Sequence, residues 1–479
     1  MTGSRSGDSR SPSRAAGCGG PPVTGPTIAL SGEPDSDPLT ESDAEEQVHG
    51  ICFKTGPPSQ IGVELEWLVR DGRDPALPVD QQRVASALAG LGAPGALPGR
   101  GRLTTEPGGQ VELSSAPAVG LGGCIATACR DLTAIHEAIR PAGLRLAGEG
   151  LDSLRSPRRV LDLPRYEAME EFFNRAGPWG RLMMCSTASV QVCLDAGEEG
   201  RGPASFGWRW RLLHAVGPVL VAAFANSPLS GGCPTGWKST RQAIWARLDP
   251  SRTRPPACAE PSAGHRRAET DPRTAWMEYA LAAEVMCVRR PGTSSWCAPA
   301  GMTFRDWLRG AGERPATRGD LLYHLSTLFP PVRPRGHLEV RVIDAQPGDG
   351  WIVPAAVVTA LLDDPAAAEQ AMTAAETLWH NRDHDGHGAR PWLRAARQGP
   401  ADPGIAAAST HCFEAADAAL GRLGAPEHVR RAVADFTERY VVRGRCPADD
   451  RLDEAHGAGE IRDHPGSGLR FPHTHGRNE

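Results

Sequence analysis

The stretch IGVELEWLV, residues 61–69, predicts the strand on which this fold depends. Alternate residues of a strand point to opposite faces, so Glu64 and Glu66 share one face while Val63 and Leu65 share the other. The apolar face can be buried on a core. Neighbouring like charges repel each other unless a partner neutralises them, and an oxygen-preferring divalent cation does this well. A single pattern of this kind also fits a solvated strand face, so its meaning depends on recurrence.

The alternating pattern recurs in three later stretches. They are QVELS (110–114) with Glu112, SVQVCL (189–194) with Gln191 and Cys193, and HLEVRV (337–342) with Glu339 and Arg341. Glu106 lies shortly before the first of them, ahead of a Gly-Gly turn signal. Four amphipathic strands can lie side by side with their apolar faces on one core. We therefore expect their polar faces to line one wall of a cleft.

Composition narrows the class of protein. The 479 residues are 40% hydrophobic, which is enough for a substantial core, and the formal net charge of -5 argues against a surface built for nucleic acid. The 12 cysteines show no C-x-x-C and no zinc-finger spacing, which favours reduced thiols. The first 49 residues contain no segment resembling a signal peptide, and the apolar run 212–224 is too short to span a bilayer. We expect a cytoplasmic protein that binds small molecules, without a nucleic-acid or membrane partner.

The chain divides into three parts by composition. Residues 1–50 are rich in Ser, Gly, Pro and acidic residues, which predicts a disordered tail, and residues 447–479 predict a second one. Between them, 51–446 shows no clear linker and is interpreted as one catalytic domain. Its portion 353–446 reads as mostly helical.

The acidic residues in this pattern favour phosphoryl transfer. Five carboxylates are involved, more than one Mg²⁺ ordinarily takes from protein: Glu64, Glu66, Glu106, Glu112 and Glu339. Two or three Mg²⁺ shared with a nucleotide triphosphate is the economical interpretation. Arg341, on the face of Glu339, and Arg241, in a Gly-rich approach, can each meet a phosphate. No P-loop and no G-x-G-x-x-G motif is present, so neither of those nucleotide sites is supported.

Six motifs in one order carry a family resemblance over roughly residues 55–350. They are IGVELEW, EPGGQVELS, MMCSTASVQVCLD, FANSP, GWKSTRQAIW and HLSTLFPPVRPRGHLEVRVIDAQP. Together they resemble the plant and bacterial glutamate–cysteine ligases of the carboxylate–amine ligase superfamily. The resemblance is greatest to the actinobacterial branch that starts ergothioneine synthesis.

The resemblance implies an α+β fold of the glutamine-synthetase type. A curved antiparallel sheet would form a funnel, with helices on its outer side and a helical C-terminal portion. It also implies that ATP phosphorylates the γ-carboxylate of L-glutamate to γ-glutamyl phosphate. The amine of L-cysteine would then displace phosphate, giving γ-L-glutamyl-L-cysteine, ADP and phosphate.

The resemblance further assigns roles to individual residues. The five glutamates would hold Mg²⁺, and Arg341 and Arg241 would stabilise the transferring phosphoryl group or the glutamate carboxylate. Candidates for the substrate pocket are Arg165, Tyr166, Thr187, Gln191 and Trp237. Two positions depart from the family pattern, since Cys193 stands where Asn is usual and His337 replaces an aromatic residue.

Two other functions stay open on the sequence alone. The first is a carboxylate–amine ligase that joins glutamate to a different amine, with the same metal and phosphate positions. The second is a non-catalytic paralogue that binds nucleotide or amino acid as a sensor. Such a paralogue is expected to have lost acidic ligands, whereas all five glutamates are present.

Overall fold

The computed structural model describes residues 37–256, 271–290, 295–380 and 391–457. Its strands, in chain order, are β1 (Gln60–Asp71), β2 (Arg102–Thr105), β3 (Val111–Ser114), β4 (Ala118–Val119), β5 (Leu144–Ala147), β6 (Ser189–Asp195), β7 (Leu229–Ser230), β8 (Cys233–Pro234), β9 (Val332–Pro334) and β10 (His337–Asp344). The main sheet has the order β2–β3–β1–β6–β10–β9 and is antiparallel throughout, with β4 and β5 pairing with the two ends of β1. A separate hairpin is formed by β7 and β8.

The register of the sheet places the polar residues of the four predicted strands in adjacent positions. Glu66 lies opposite Glu112 on β3, and Glu64 lies opposite Gln191 on β6. On β10, Glu339 lies opposite the cysteine of β6. The expectation that these four strands lie side by side is therefore confirmed. A register shift between residues 340 and 343 marks a β-bulge in β10.

Helices surround the sheet. In chain order they are α1 (Glu41–Ile51), α2 (Gln81–Leu88), α3 (Gly120–Ile139), α4 (Pro164–Asn174), α5 (Trp179–Ser186), α6 (Phe206–Ala223), α7 (Thr240–Trp245), α8 (Pro250–Thr253), α9 (Pro272–Ala282), α10 (Phe304–Asp306), α11 (Arg318–Leu325), α12 (Ile352–Asp363), α13 (Pro365–His380), α14 (Pro391–Gln398), α15 (Pro403–Arg422), α16 (Glu427–Arg439) and α17 (Pro447–Gly457). The α+β class and the helical C-terminal portion are as predicted.

The main core lies on the apolar face of the sheet. Val63, Leu65 and Trp67 of β1 are at most 4% exposed and belong to one cluster with apolar residues of α3, α6 and α12. The long apolar runs of α6 and α12 are buried on nearly every side, which explains their weak amphipathic pattern. Because this face is covered by helices, the glutamates project from the other one.

Helix α1 corrects the predicted boundary of the N-terminal tail. Residues 41–50 were expected to be disordered, but they lie in α1, which Thr40 caps by accepting a hydrogen bond from the backbone N–H of Asp43. Ala44 and Val48 are fully buried one turn apart, and Glu41 pairs with Arg305. Two apolar residues in an acidic segment are too few for sequence periodicity to predict this helix. Residues 1–36 lie outside the described part.

Helix α17 makes a similar correction at the other end. Residues 447–457 were expected to belong to a disordered tail, whereas they form a helix with Ala448 and Ala455 buried. Asp449 forms an ion pair with Lys238 at 2.5 Å, which ties α17 to the segment before α7. The rest of the predicted tail, 458–479, lies outside the described residues.

Among the described residues, none of the helices taken singly has the length and apolarity needed to cross a membrane. One pair, Gly348–Asp363 with Pro365–Trp379, meets that criterion only jointly and is bent by 102°.

Candidate active site

A cavity of about 560 Å³ opens on the polar face of the sheet, and four of the five predicted glutamates line it. Glu64 and Glu66 come from β1, Glu112 comes from β3, and Glu106 comes from the turn between β2 and β3. Residues directly opposite each other in an antiparallel pair have Cβ atoms roughly 4.5–5.5 Å apart, which brings Glu66 and Glu112 together. Glu112 also accepts a hydrogen bond from the hydroxyl of Thr104 at 2.9 Å. These residues form the acidic wall of the cavity.

Two glycines explain how Glu106 reaches this wall. Gly109 has φ +86°, which a residue with a side chain rarely adopts, and its N–H donates to the carbonyl of Glu106 at 2.8 Å. At Gly108, a Cβ atom would lie 2.2 Å from the carbonyl oxygen of Cys185. The Gly-Gly turn therefore packs directly on α5 and folds Glu106 back toward the sheet.

Nearby arginines compensate the charge of the acidic wall only in part. Burial raises the pKa of Glu64 to about 8, helped by Glu339 and Glu112, and burial with the nearby Glu66 raises the pKa of Glu112 to about 7. Burial is also the main cause that raises the pKa values of Glu66 and Glu106. Within the described part of the chain, none of these four carboxylates forms an ion pair. A cation that joins the group would favour its ionised form.

Glu339, the fifth predicted glutamate, has different partners. Its side chain is fully buried and accepts hydrogen bonds from Nε and Nη2 of Arg333 at 2.8–3.3 Å. Arg335 lies 3.6 Å from the carboxylate, and Arg341 also contacts it. Burial opposes ionisation, but the three arginines outweigh it and lower the pKa of this carboxyl. From the strand spacing and register, the Cα atoms of Glu64 and Glu339 are about 12 Å apart. Glu339 thus lies on the same face of the sheet, behind the cavity surface, and is held by three arginines.

Three arginines that line the cavity form its basic wall: Arg333 on β9, Arg335 in the turn between β9 and β10, and Arg341 on β10. A hydrogen-bond chain joins the two walls through Gln191, whose Oε1 accepts from Nη1 of Arg341 at 2.5 Å. Its Nε2 donates to Glu66 at 3.0 Å. The predicted residues Gln191 and Arg341 are therefore brought together with the glutamates. Gln191 orients the side chains of both Arg341 and Glu66.

Arg241 lines the cavity at the start of α7 and is 3% exposed. Its Nη2 donates to the carbonyl of Arg341 at 2.9 Å, and its guanidinium lies 3.8 Å from Asp344. Its Nε–H has no acceptor among the described residues. Burial lowers the pKa of Arg241, against the opposing effects of Asp344 and Glu66. Arg241 therefore has two donor atoms committed to β10 and one buried donor without an acceptor among the described residues.

The predicted substrate residues of α4 and α5 also line the cavity. Arg165 donates to the hydroxyl of Ser326 at 3.2 Å and lies 5.0 Å above the ring of Tyr323. Tyr166 is buried, and burial followed by the nearby carboxylate of Glu106 raises its pKa. Thr187 lines the cavity, but its hydroxyl donates to the carbonyl of Met183 at 2.6 Å.

Trp237 is the predicted substrate residue that does not line the cavity. It is absent from the cavity lining and packs on the core, with the guanidinium of Arg247 5.6 Å from its ring. Trp245, at the end of the same motif, lines the cavity instead, with Arg241 6.0 Å from its ring. Helix α7 begins after Trp237 and ends at Trp245, so the two tryptophans lie at its two ends. Because sequence alone does not fix where α7 begins, it does not show which of the two lines the cavity.

Sequence reasoning also missed Arg333 and Arg335. Both belong to the R-P-R-G stretch before β10, where Gly336 has φ +81° and the N–H of Arg335 donates to the carbonyl of His337. The available signal was that these two arginines are two residues apart, directly before a turn. The pairing of Arg333 with Glu339 across the hairpin shows which face they take.

The two departures from the family pattern lie beside the site. Cys193 stands between Gly62 and Glu339 on neighbouring strands and is partly exposed. His337 begins β10 opposite Asp195, and burial lowers its pKa. Neither residue lines the cavity.

Comparison with known proteins places this geometry in a family. Residues 60–465 match the model of glutamate–cysteine ligase family 2. The chain is 39% identical over 429 residues to glutamate–cysteine ligase EgtA of Mycobacterium tuberculosis, covering 88% of this chain and 92% of the relative. It is 37% identical to the protein of the same name from Mycolicibacterium smegmatis, and the match covers 89% of this chain and 96% of the relative. A solved glutamate–cysteine ligase from Francisella tularensis in complex with AMP has a TM-score of 0.47 and 13% identity, covering 84% of this chain and 86% of that one. On the match to the family model and the two mycobacterial relatives, the chain belongs to glutamate–cysteine ligase family 2.

Proposed function

We propose that the protein joins the γ-carboxylate of L-glutamate to the amine of L-cysteine, at the expense of ATP and with Mg²⁺, to give γ-L-glutamyl-L-cysteine. One observation carries the proposal: the same cavity has an acidic wall from β1, β3 and the turn before β3, with raised carboxyl pKa values, and a basic wall from β9, β10 and the turn between them. Metal ions suit the first wall and phosphate oxygens suit the second. The family match and the names of the mycobacterial relatives support the choice of substrates.

The chemistry of the acidic wall fits Mg²⁺. The donors are hard carboxylate oxygens, and their raised pKa values reflect repulsion that a divalent cation would relieve. Among the described residues, no group of three metal-binding side chains already converges on one point, so an ion would have to draw the glutamates together. Glu64, Glu66, Glu106 and Glu112 would hold it. Glu339 is the fifth candidate, available once a triphosphate takes over its arginines.

Bound Mg²⁺ would supply charge neutralisation for the triphosphate. The protein groups then hold the reacting atoms in line, because phosphoryl transfer depends mostly on positioning and charge stabilisation. Arg341 and Arg335 contact the phosphoryl group as a γ-carboxylate oxygen of glutamate bonds to phosphorus and the bond to ADP breaks. Gln191 keeps the Arg341 guanidinium aimed at the cavity. Arg241 lines the same cavity, and its guanidinium charge is a further source of stabilisation for this group.

The second half-reaction needs a pocket for the amino acids. Arg165 and Tyr166 on α4 line the cavity near Glu106, and Trp245 on α7 lines it beside Arg241. Here the amine nitrogen of cysteine attacks the γ-acyl carbon, loses a proton, and expels phosphate. The hydroxyl of Thr187 already donates its proton to the carbonyl of Met183, so in this proposal Thr187 contributes to the shape of the pocket by packing.

We further propose that the product enters a thiol pathway such as ergothioneine synthesis in the cytoplasm. The shared name of the mycobacterial relatives, glutamate–cysteine ligase EgtA, supports the reaction that supplies this product.

ADP release with glutamate and a panel of amines tests the proposal. Cysteine should give the highest kcat/KM, with a mass-identified γ-glutamyl dipeptide as product. An equal rate with another amine would replace cysteine by that acceptor. No ADP release with any amine, despite binding of a non-hydrolysable ATP analogue, would favour a non-catalytic sensor.

A further inference from the structure

Asp344, the last residue of β10, is a buried acid to which the proposed reaction gives no role. It is 1% exposed, and its hydrogen-bond donors belong to the segment that leads to Arg241. Its Oδ2 accepts from the backbone N–H of Asn226 at 2.9 Å and from the hydroxyl of Ser227 at 2.7 Å. Its Oδ1 accepts from the hydroxyl of Ser239 at 2.9 Å. A buried carboxylate with three donors is held in one orientation.

The two serines pass this orientation to α7. Ser227 Oγ accepts the backbone N–H of Arg241 at 3.1 Å, and Ser239 Oγ caps α7 by accepting the N–H of Gln242 at 3.2 Å. A hydroxyl has one proton and two lone pairs. Because each serine gives its proton to Asp344, its lone pairs face the backbone of α7. Asp344 thus fixes the first turn of this helix and lies 3.8 Å from the guanidinium of Arg241.

The first turn of α7 in turn holds the bulge of β10. Three consecutive carbonyls of the bulge receive its side-chain donors: Arg341 O from Arg241 Nη2 at 2.9 Å, Val342 O from Gln242 Nε2 at 2.9 Å, and Ile343 O from Arg241 Nη1 at 3.5 Å. A bulge redirects the side chains of its strand and is found next to active sites. The direction of Arg341 therefore depends on these bonds.

The fold also reserves space for the Asp344 carboxylate. Gly150 lies against it, and a Cβ atom at Gly150 would be 2.6 Å from Oδ2 of Asp344. Even an alanine there would push the carboxylate away from its donors.

We propose that Asp344 is a positioning residue, which fixes α7 and through it the β10 bulge that aims Arg341 into the cavity. The inference rests on the proposed function for the identity of the reaction. The link between Asp344 and the bulge does not depend on it.

The kinetic test is a double-mutant cycle with Asp344→Asn and Arg241→Gln. Each single variant should lower kcat on the order of 10–100-fold, the range seen for groups that orient catalytic ligands, with the KM for glutamate and cysteine within about threefold of wild type. The double variant should be no slower than the slower single one, because both changes release the same bulge. Multiplicative losses would overturn the proposal. The control is Asp402→Asn, a buried acid that likewise accepts a backbone N–H and pairs with Arg394, outside the cavity. It should cost stability but leave kcat unchanged.

Hydrogen exchange of the segment 338–346, measured by mass spectrometry, is the readout that needs no activity. Exchange should be faster in Asp344→Asn and Arg241→Gln and unchanged in Asp402→Asn. Wild-type exchange in a folded Asp344→Asn would overturn the proposal, even if the wild-type protein proved inactive with cysteine. If Asp344→Asn does not fold, Gly150→Ala replaces it, and a folded Gly150→Ala with wild-type exchange and kcat would have the same meaning.

Discussion

Glu66 and Glu112 face each other across the pair β1–β3, and neither forms an ion pair with an arginine or lysine among the described residues. Two carboxylates in this position repel each other, which is a cost to the folded chain. The family to which the chain belongs explains why such a cost can persist. A site that gathers cations around a triphosphate needs negative charge in place before the ligand arrives.

Replacing one of these acids should separate stability from activity. We expect Glu112→Gln to lower kcat on the order of 10²–10³-fold, the range for removing one preorganised electrostatic group, and to leave the Tm of the metal-free protein equal or higher. Coupled ADP-release assays and calorimetry measure the two effects. The control Glu438→Gln, on the exposed face of α16, should change neither. Activity near wild type in Glu112→Gln would remove this residue from the metal site.

The acidic wall should make the metal-free protein less stable as the pH rises. The folded-state pKa values of Glu64 (about 8) and Glu112 (about 7) lie above their ordinary value of 4.5, so the folded state retains protons that the unfolded state releases. Their contribution is fully present below about pH 4.5 and is lost as the pH rises to about 8. Thermal unfolding from pH 5 to 8.5 should therefore show the wild-type protein losing stability relative to Glu112→Gln. The buried His214 and His324, whose lowered pKa values have the opposite effect, are common to both proteins.

Added Mg²⁺ should reverse the trend, since it competes with the same protons. Stabilisation by Mg²⁺ should grow with pH in the wild-type protein. It should be smaller in a Glu64→Gln variant than in the wild-type protein. Equal stabilisation by Mg²⁺ at pH 5.5 and pH 8 would contradict the assignment.

The geometry of Arg341, and not only its charge, should matter. Its guanidinium contacts both Gln191 and Glu339, which a single ammonium group cannot reproduce. We expect Arg341→Lys to lower kcat by roughly 10²-fold, with a smaller change in the KM for glutamate. Arg422→Lys is the matched control, because Arg422 pairs with Asp364 far from the cavity. A larger loss in the control would point to a general effect on stability.

The two tryptophans of the GWKSTRQAIW motif should differ in their effects. Trp245 lines the cavity and Trp237 does not. Trp245→Ala should therefore raise the KM for an amino-acid substrate about tenfold, as expected for the loss of an aromatic wall, whereas Trp237→Ala should lower Tm more than it changes KM. Steady-state kinetics for both variants decide between them, and the opposite ranking would restore Trp237 to the site.

Cys193 should be slow to react with alkylating reagents despite its place beside the site. Burial, with the carboxylates of Glu64 and Glu339, raises its pKa well above the usual value for a thiol, and only the thiolate reacts. Mass spectrometry after brief treatment with N-ethylmaleimide at pH 7.5 should find Cys233 modified before Cys193. Early modification of Cys193 would show that these carboxylates do not suppress its ionisation.

Strand periodicity allowed much of this architecture to be predicted. Glu64, Glu66, Glu112 and Glu339 were assigned to one face because alternation in β1, β3 and β10 is regular, and their faces follow from the pleat alone. Arg333 was missed because β9 is three residues long and ends in proline, so it has no strand pattern to recognise. The arginine partners of Glu339 follow from pairing across the hairpin. Pairing is a property of the folded chain, which one sequence does not display.

The sheet order also has a consequence for synthesis on the ribosome. The acidic wall is complete once β3 has emerged, but Arg333 and Arg341 come from strands made much later. At ~5–20 residues per second, roughly 12–46 s separate the end of β3 from the end of β10. During that interval the nascent chain carries its carboxylates without the arginines. On the proposed function, we expect a chain terminated anywhere before β10 to be inactive rather than partly active.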